Sequence, residues 1–364
     1  MHRRFTSLIC LGLGPLFTNA LHAQTPVVHQ SRPLTVDRDP APSIDPDSTP
    51  PSQTNNAVPT PGAPVGQVEK DESGRYTVKA DAYEVQLHVT VLDASGRPAK
   101  NLQKSSFRLF EDGVPQTISG FRHEDLAVSI GLLIDSSASM YDKREAVEKA
   151  SLDLVRLSNP KDEEFLVDFS SKAYIDQDFT SSVEKLQQGL RYVKSTGGTA
   201  AYDAVMASAD YLSKHSRNSK QVLVLITDGE DNASKTSMID MIRRVQGLEG
   251  PVIYCVGLLF GPDTDKSEAR RTRVLLEQIA NQTGGVAFFP KSLKEVDTIA
   301  SIVAEDIRTQ YTIGYRSTNP PSNGGYRAVH VDAFGANDEK LNVRTRNGYR
   351  PATPAPSAPG AALK

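Results

Sequence analysis

Ile130-Gly131-Leu132-Leu133-Ile134-Asp135-Ser136-Ser137-Ala138-Ser139 is an apolar run that breaks into a carboxylate and hydroxyls. Further along, Leu223-Val224-Leu225-Ile226-Thr227 runs in the same way into Asp228-Gly229-Glu230-Asp231. A short apolar run followed by small polar residues reads as a buried strand and its exit loop. The same reading applies at Val128–Ile134, Phe165–Phe169, Val222–Thr227, Val252–Leu258 and Val286–Phe289. Between them lie helical spacings of i, i+3/i+4 and i+7, at Tyr202, Val205, Met206, Ala209, Leu212 and at Leu293, Val296, Ile299, Val303, Ile307. Apolar strands alternating with helices predict an α/β, doubly wound, mostly parallel sheet over residues 125–310. Ligands of such sheets bind beyond the carboxyl ends of the strands. Asp135 and Asp228 are therefore expected at one edge.

Gly197-Gly198-Thr199 supplies a third oxygen donor to that edge, in a loop that opens the helix near Ala201. Carboxylates and hydroxyls converging without His or Cys suit a hard divalent cation, Mg²⁺ first and Mn²⁺ or Ca²⁺ after it. The competing reading is that Ser137, Ser139 and Thr199 merely cap helices. Glu230 and Asp231 read as solvated loop residues, and Asp168 as a structural or rim residue. His88, His123, His215 and His330 stand singly, without the spacing of a zinc site.

Asp135-x-Ser137-x-Ser139 after an apolar strand, Thr199 after two glycines and Asp228 in Thr-Asp-Gly resemble the metal-ion-dependent adhesion site of von Willebrand factor type A domains, which have a Rossmann-like fold. Phe110-Glu111-Asp112-Gly113 and Gln310-Tyr311-Thr312-Ile313-Gly314-Tyr315 further resemble a bacterial family of secreted proteins related to that domain. The resemblance implies that Ser137 and Ser139 contact the cation directly. Thr199 would do so directly or through water, and Asp135 and Asp228 mainly through bound waters. It also implies that the ion seeks a Glu or Asp carboxylate from a partner protein. Asp203 is expected to support the Thr199 loop through hydrogen bonds. Ser136 and Ala138 stand where the family commonly has glycines.

Outside this core the period is two. Tyr83, Val85, Leu87, Val89 and Val91 alternate with polar neighbours, and Glu111-Asp112-Gly113 joins strands around Phe107–Phe110 and Gln116–Ser119. Strands return at Tyr311–Tyr315, Tyr326–Ala333 and Leu341–Arg346. Neither group has enough strands for an independent sandwich. Residues 71–124 and 311–350 are thus expected to pair into one small β-sandwich flanking the central domain. Residues 24–70, rich in Pro, Ser, Thr, Asp and Asn, and the tail 351–364 read as disordered. His2, Arg3 and Arg4, an apolar run from Leu8 to Phe17 and small residues at Ala20 and Ala23 read as a signal peptide over 1–23. That run is too short to span a membrane, so no stable transmembrane segment is expected after cleavage.

Formal charge is −3, from Lys+Arg 41 against Asp+Glu 44, which gives no footprint for nucleic acid. Cys10 would leave with the signal, and Cys255 lies in an apolar strand as a small hydrophobe. The expected function is non-enzymatic: an exported periplasmic or secreted protein-binding or cell-adhesion module acting through a bound cation. The alternatives are a fold merely stabilised by metal, or a metal-assisted hydrolase with Asp135 or Ser137 as nucleophile. Against the hydrolase, neither strand end carries an Asp-x-Asp pair, and there is no phosphate-binding glycine loop or Gly-x-Ser-x-Gly elbow.

Overall fold

The computed structural model describes residues 32–34, 67–70, 76–79 and 84–351, except 124, 192, 194, 249, 262 and 263; side chains are described at Leu34 and from 84 onward. The expected signal peptide, most of the expected linker, Tyr83 and the tail beyond Pro351 lie outside the described residues.

The described elements begin with β1 (Arg32–Leu34) and the antiparallel pair β2 (Gln67–Lys70) and β3 (Tyr76–Lys79). Then come β4 (Glu84–Leu92), β5 (Phe107–Glu111), β6 (Val114–Gln116) and β7 (Ile118–Arg122). The central segment runs β8 (Val128–Asp135), α1 (Arg144–Arg156), β9 (Glu163–Phe169), β10 (Ala173–Thr180), α2 (Val183–Leu190) and α3 (Ala201–His215). It continues with β11 (Lys220–Thr227), α4 (Met238–Gly247), β12 (Val252–Gly257), α5 (Lys266–Thr283), β13 (Ala287–Phe288) and α6 (Leu293–Arg308). Strands β14 (Tyr311–Arg316), β15 (Arg327–Ala333), β16 (Asn342–Arg344) and β17 (Gly348–Tyr349) close it.

The main sheet has the order β1-β10-β9-β8-β11-β12-β13, parallel from β9 through β13 and antiparallel at β10 and β1. Period two divides each central strand between two cores. Ile130, Leu132 and Ile134 of β8, with Val222, Val224 and Ile226 of β11, face α1 and α6. Leu133, Leu223, Leu225 and Phe165 face α3, α4 and α5. Gly131 is the exception that proves close packing: a Cβ there would lie 2.5 Å from both Leu223 and Phe165.

The sandwich draws each layer from both ends of the chain, with orders β16-β4-β14-β7 and β17-β15-β5-β6. Asp112 (φ 50°) and Gly113 (φ 79°) make the tight turn between β5 and β6 that the Asp-Gly pair predicts. Its apolar core is Val85, Leu87, Val89, Val91, Leu109, Tyr311, Ile313 and their neighbours. Inside it Glu111 is buried and accepts from Tyr315 Oη at 2.6 Å, Tyr349 Oη at 2.9 Å and Ser317 Oγ at 2.5 Å, facing the buried Arg327 guanidinium.

A polar seam joins the sandwich to the central domain. Asp306 of α6 accepts from Tyr254 Oη of β12 and from Arg344 Nη2 of β16, each at 2.5 Å. Gln310 Nε2 donates to Tyr254 Oη at 3.1 Å and to Thr90 Oγ1 of β4 at 3.3 Å.

Two short stretches of the segment expected as disordered linker have strand geometry instead. Arg32–Leu34 pairs antiparallel with β10, and Gln67–Lys70 pairs with Tyr76–Lys79. An edge strand presents unpaired N–H and C=O groups, so a passing chain can join it without an apolar pattern of its own. Among the described residues no helix is long and apolar enough to cross a membrane.

Candidate metal centre

From β8 the chain proceeds to β9 on one side of the sheet, and β11 pairs with β8 on the other. This is the switch point at which doubly wound sheets leave a crevice at the strand ends. Parallel register sets Ile226 beside Ile134, so Thr227 and Asp135 emerge together; Thr227 Oγ1 donates to Asp135 Oδ2 at 2.5 Å. Asp135 Oδ1 accepts from the Ser137 amide at 2.8 Å. Ser137 Oγ lies 3.1 Å from Ser139 Oγ, and Ser139 Oγ donates to Asp228 Oδ1 at 2.7 Å.

Backbone hydrogen bonds bring in the third loop. The Thr196 amide donates to Ser136 O at 2.7 Å, Ala138 N to Gly197 O at 3.5 Å, and Ala200 N to Ser170 O at 2.7 Å. Thr199 is buried, and its Oγ1 lies 4.0 Å from where a Cβ on Gly229 would stand, next to Asp228. All five residues expected at the site therefore lie together on one edge.

The capping alternative finds no support here. Ser137 precedes the 3₁₀ turn Ala138–Lys143 without a side-chain cap bond, and Ala200, not Thr199, occupies the N-cap of α3. That helix is capped from elsewhere. Asp231 Oδ2 accepts from Tyr202 N at 2.9 Å and Ser234 Oγ from Asp203 N at 3.0 Å, satisfying amides that a helix start leaves unpaired.

Asp231 is thus half-buried and partnered rather than solvated, and Glu230 pairs with Arg271 at 2.6 Å. Asp203 also differs from expectation: it accepts from the Lys235 and Thr236 amides at 2.9 and 3.0 Å, holding the β11 exit loop rather than the Thr199 loop. The residue that does hold Thr199 is Asn232. Its Oδ1 accepts from Thr199 N at 2.9 Å while its own amide donates to Thr199 O at 2.9 Å. Asp168 accepts from Ser136 Oγ at 2.8 Å, a structural role.

Burial dominates the electrostatics of Asp135, pushing its carboxyl up to about 6 against the hydrogen bonds from Thr227 and Ser137, with Asp228 adding like charge. A cation relieves both effects. The second carboxylate has one: Lys143 Nζ donates to Asp228 Oδ2 at 2.6 Å. Sequence reasoning missed Lys143 and Asn232; the only signal was a cation four residues after Ser139 and an amide four after Asp228.

The donors are hydroxyl and carboxylate oxygens alone, a set that fits Mg²⁺ or another hard cation. Among the described residues no cluster of three His, Cys, Asp or Glu offers a softer site. His88 is half-buried against β14, 3.4 Å from Thr312 Oγ1, and desolvation of its ring holds it down to about 3. His123 stacks on Tyr311, His215 meets Tyr211 O and His330 pairs with Asp332. Cys255 is a buried free thiol whose ionisation burial pushes up.

A doubly wound α/β domain with a hydroxyl-and-carboxylate cradle at its switch point is the class that fold and site define. Residues 130–230 match the family model of the von Willebrand factor type A domain. The chain carries such a domain. No curated protein matches the sequence.

Similar solved structures include proximal thread matrix protein 1 of the mussel byssus, 19% identical over 51% of this chain and 49% of that one, TM-score 0.42. This chain spans about half the length of that protein. A structure of the same mussel protein is described with a zinc-occupied metal-ion-dependent adhesion site motif. Another is a von Willebrand factor type A protein of Catenulispora acidiphila, 13% identical over 70% and 76% of the two chains, TM-score 0.43. BatB of Bacteroides thetaiotaomicron is 17% identical over 50% and 98%, TM-score 0.40.

Proposed function

We propose that this protein is an exported, non-enzymatic binding module that holds a divalent cation, Mg²⁺ first, on Ser137, Ser139, Thr199, Asp135 and Asp228. The cation then captures a Glu or Asp carboxylate of a partner protein. The supporting observation is the unbroken oxygen chain Ser137–Ser139–Asp228 across two loops, with hydroxyls that no helix end uses. When bound, the metal supplies a Lewis-acidic position for an outside oxygen. The protein's own part is to hold the hydroxyls toward it and to keep Asp135 dry and oriented through Thr227 and the Ser137 amide. A hydrolase needs a base near the nucleophile, and the described histidines have their partners elsewhere, as given above.

Titration calorimetry with Mg²⁺ or Mn²⁺ on the wild type and on Asp135→Ala tests the metal. Heats in the first and none in the second are expected; equal heats from both remove the reading. A crosslinking pull-down in Mg²⁺ against chelator, with the same variant as control, tests the partner.

A further inference from the structure

One turn of chain clamps both oxygens of Asp228. Ser139 donates to Oδ1 and Lys143, four residues later in the 3₁₀ turn Ala138–Lys143, donates to Oδ2. The Asp228 side chain is only 1% exposed and the Lys143 side chain 16%, so this ion pair is largely shielded from water. Lys143 Nζ also lies 5.9 Å from the Phe260 ring centroid, on the loop following β12. The ring face offers the ammonium a second resting place once it leaves the carboxylate.

We propose that Lys143 is a resident counter-cation that competes with the divalent ion for Asp228 and so sets the metal concentration at which the site loads. The proposal rests on the metal-site reading above. Of the two carboxylates, Asp228 faces the ammonium, whereas Asp135 is held by Thr227 Oγ1. A divalent ion entering beside Asp228 meets like-charge repulsion from Lys143 at close range, where shielding from bulk water strengthens the interaction. It prevails by bringing double charge and by engaging the serine and threonine hydroxyls, with which the ammonium makes no bond. A monovalent ion brings no more charge than the lysine already supplies. The device therefore favours divalent over monovalent cations and keeps the apo site neutralised in part.

The test is Mn²⁺ titration calorimetry at fixed ionic strength on the full chain, as wild type, Lys143→Met and Lys143→Arg, with thermal melting in chelator alongside. Lys143→Met is expected to bind Mn²⁺ about tenfold more tightly, because repulsion is gone and Asp228 lacks a partner. Lys143→Arg keeps the charge and stays within about twofold of wild type. In chelator Lys143→Met melts below wild type, and Mn²⁺ raises its melting temperature by the larger increment. Equal or weaker Mn²⁺ binding by Lys143→Met, or an arginine variant that behaves like the methionine one, overturns the competition. Binding by Lys143→Met alone supports it in its strongest form. Silence from every protein instead overturns the metal site itself, and the competition with it.

Discussion

Ser139 Oγ donates to Asp228 Oδ1 at 2.7 Å, a bond between residues 89 positions apart in the chain. It ties the loop after β8 to the loop after β11 at the point where the sheet changes direction. Ser139 is exposed but the Asp228 carboxylate it donates to is not, so Ser139→Ala is expected to cost about 1 kcal/mol in stability. Divalent affinity should fall by about tenfold or more, since the change removes an oxygen of the proposed metal cradle. Urea denaturation and calorimetry on one preparation separate the two; a metal affinity left unchanged would exclude Ser139 from the site.

Asn232 clasps Thr199 from both sides of its peptide unit. Asn232→Ala should leave the Thr199 amide without its side-chain acceptor, costing about 1 kcal/mol in stability. Because Thr199 then loses its fixed position, divalent affinity should drop although Asn232 is no ligand. Asn232→Asp, which keeps the acceptor, should recover most of both. An alanine variant with native affinity would show that the clasp is dispensable.

The seam around Asp306 makes the sandwich and the α/β domain depend on one another. Asp306→Ala removes both the charge partner of the Arg344 guanidinium and the acceptor of the buried Tyr254 hydroxyl, leaving Arg344 only neutral oxygens of Thr90 and Gly284. A loss of about 2–4 kcal/mol is expected in denaturant unfolding. Tyr254→Phe, which leaves Asp306 with Arg344, should lose only about 1 kcal/mol. Equal effects from the two substitutions would contradict this ranking.

Glu164 is a buried carboxyl on β9, pushed up to about 8 by burial and by the neighbouring Asp162 and Glu163. Between its ordinary value near 4.5 and about 8, the folded protein holds a proton that the unfolded chain has released. This contribution to stability is therefore full below about pH 4.5, declines as pH rises and is gone above about 8. Glu164→Gln should flatten that part of the stability profile, measured by urea unfolding at several pH values. A wild type and variant with parallel profiles would show that Glu164 ionises normally in the fold.

Much of this architecture was legible locally. The apolar runs ending at Asp135 and Asp228 were readable as two buried parallel strands, because a strand buried on both faces must be apolar throughout; their adjacency is a fact of the folded sheet. Asp112-Gly113 gave its hairpin because both positions need positive φ. The apolar spacing at 202–212 and 293–307 gave α3 and α6. By contrast β10 went unread. Ala173–Thr180 lies next to the edge, covered only by the three residues of β1, and has polar positions and two register shifts against β9, so no clean alternation marks it.

The sequence by itself determined which oxygens are available and that they emerge at strand ends, since both follow from residue type and local period. Only the tertiary structure decided which neighbours those oxygens have. Lys143 reaching Asp228, Asn232 clasping Thr199 and Asp231 capping α3 are contacts between loops, and loops carry no periodicity from which pairing can be read. Their partners are fixed by how the sheet stacks the strands that deliver them, a relation that exists only once the chain has folded.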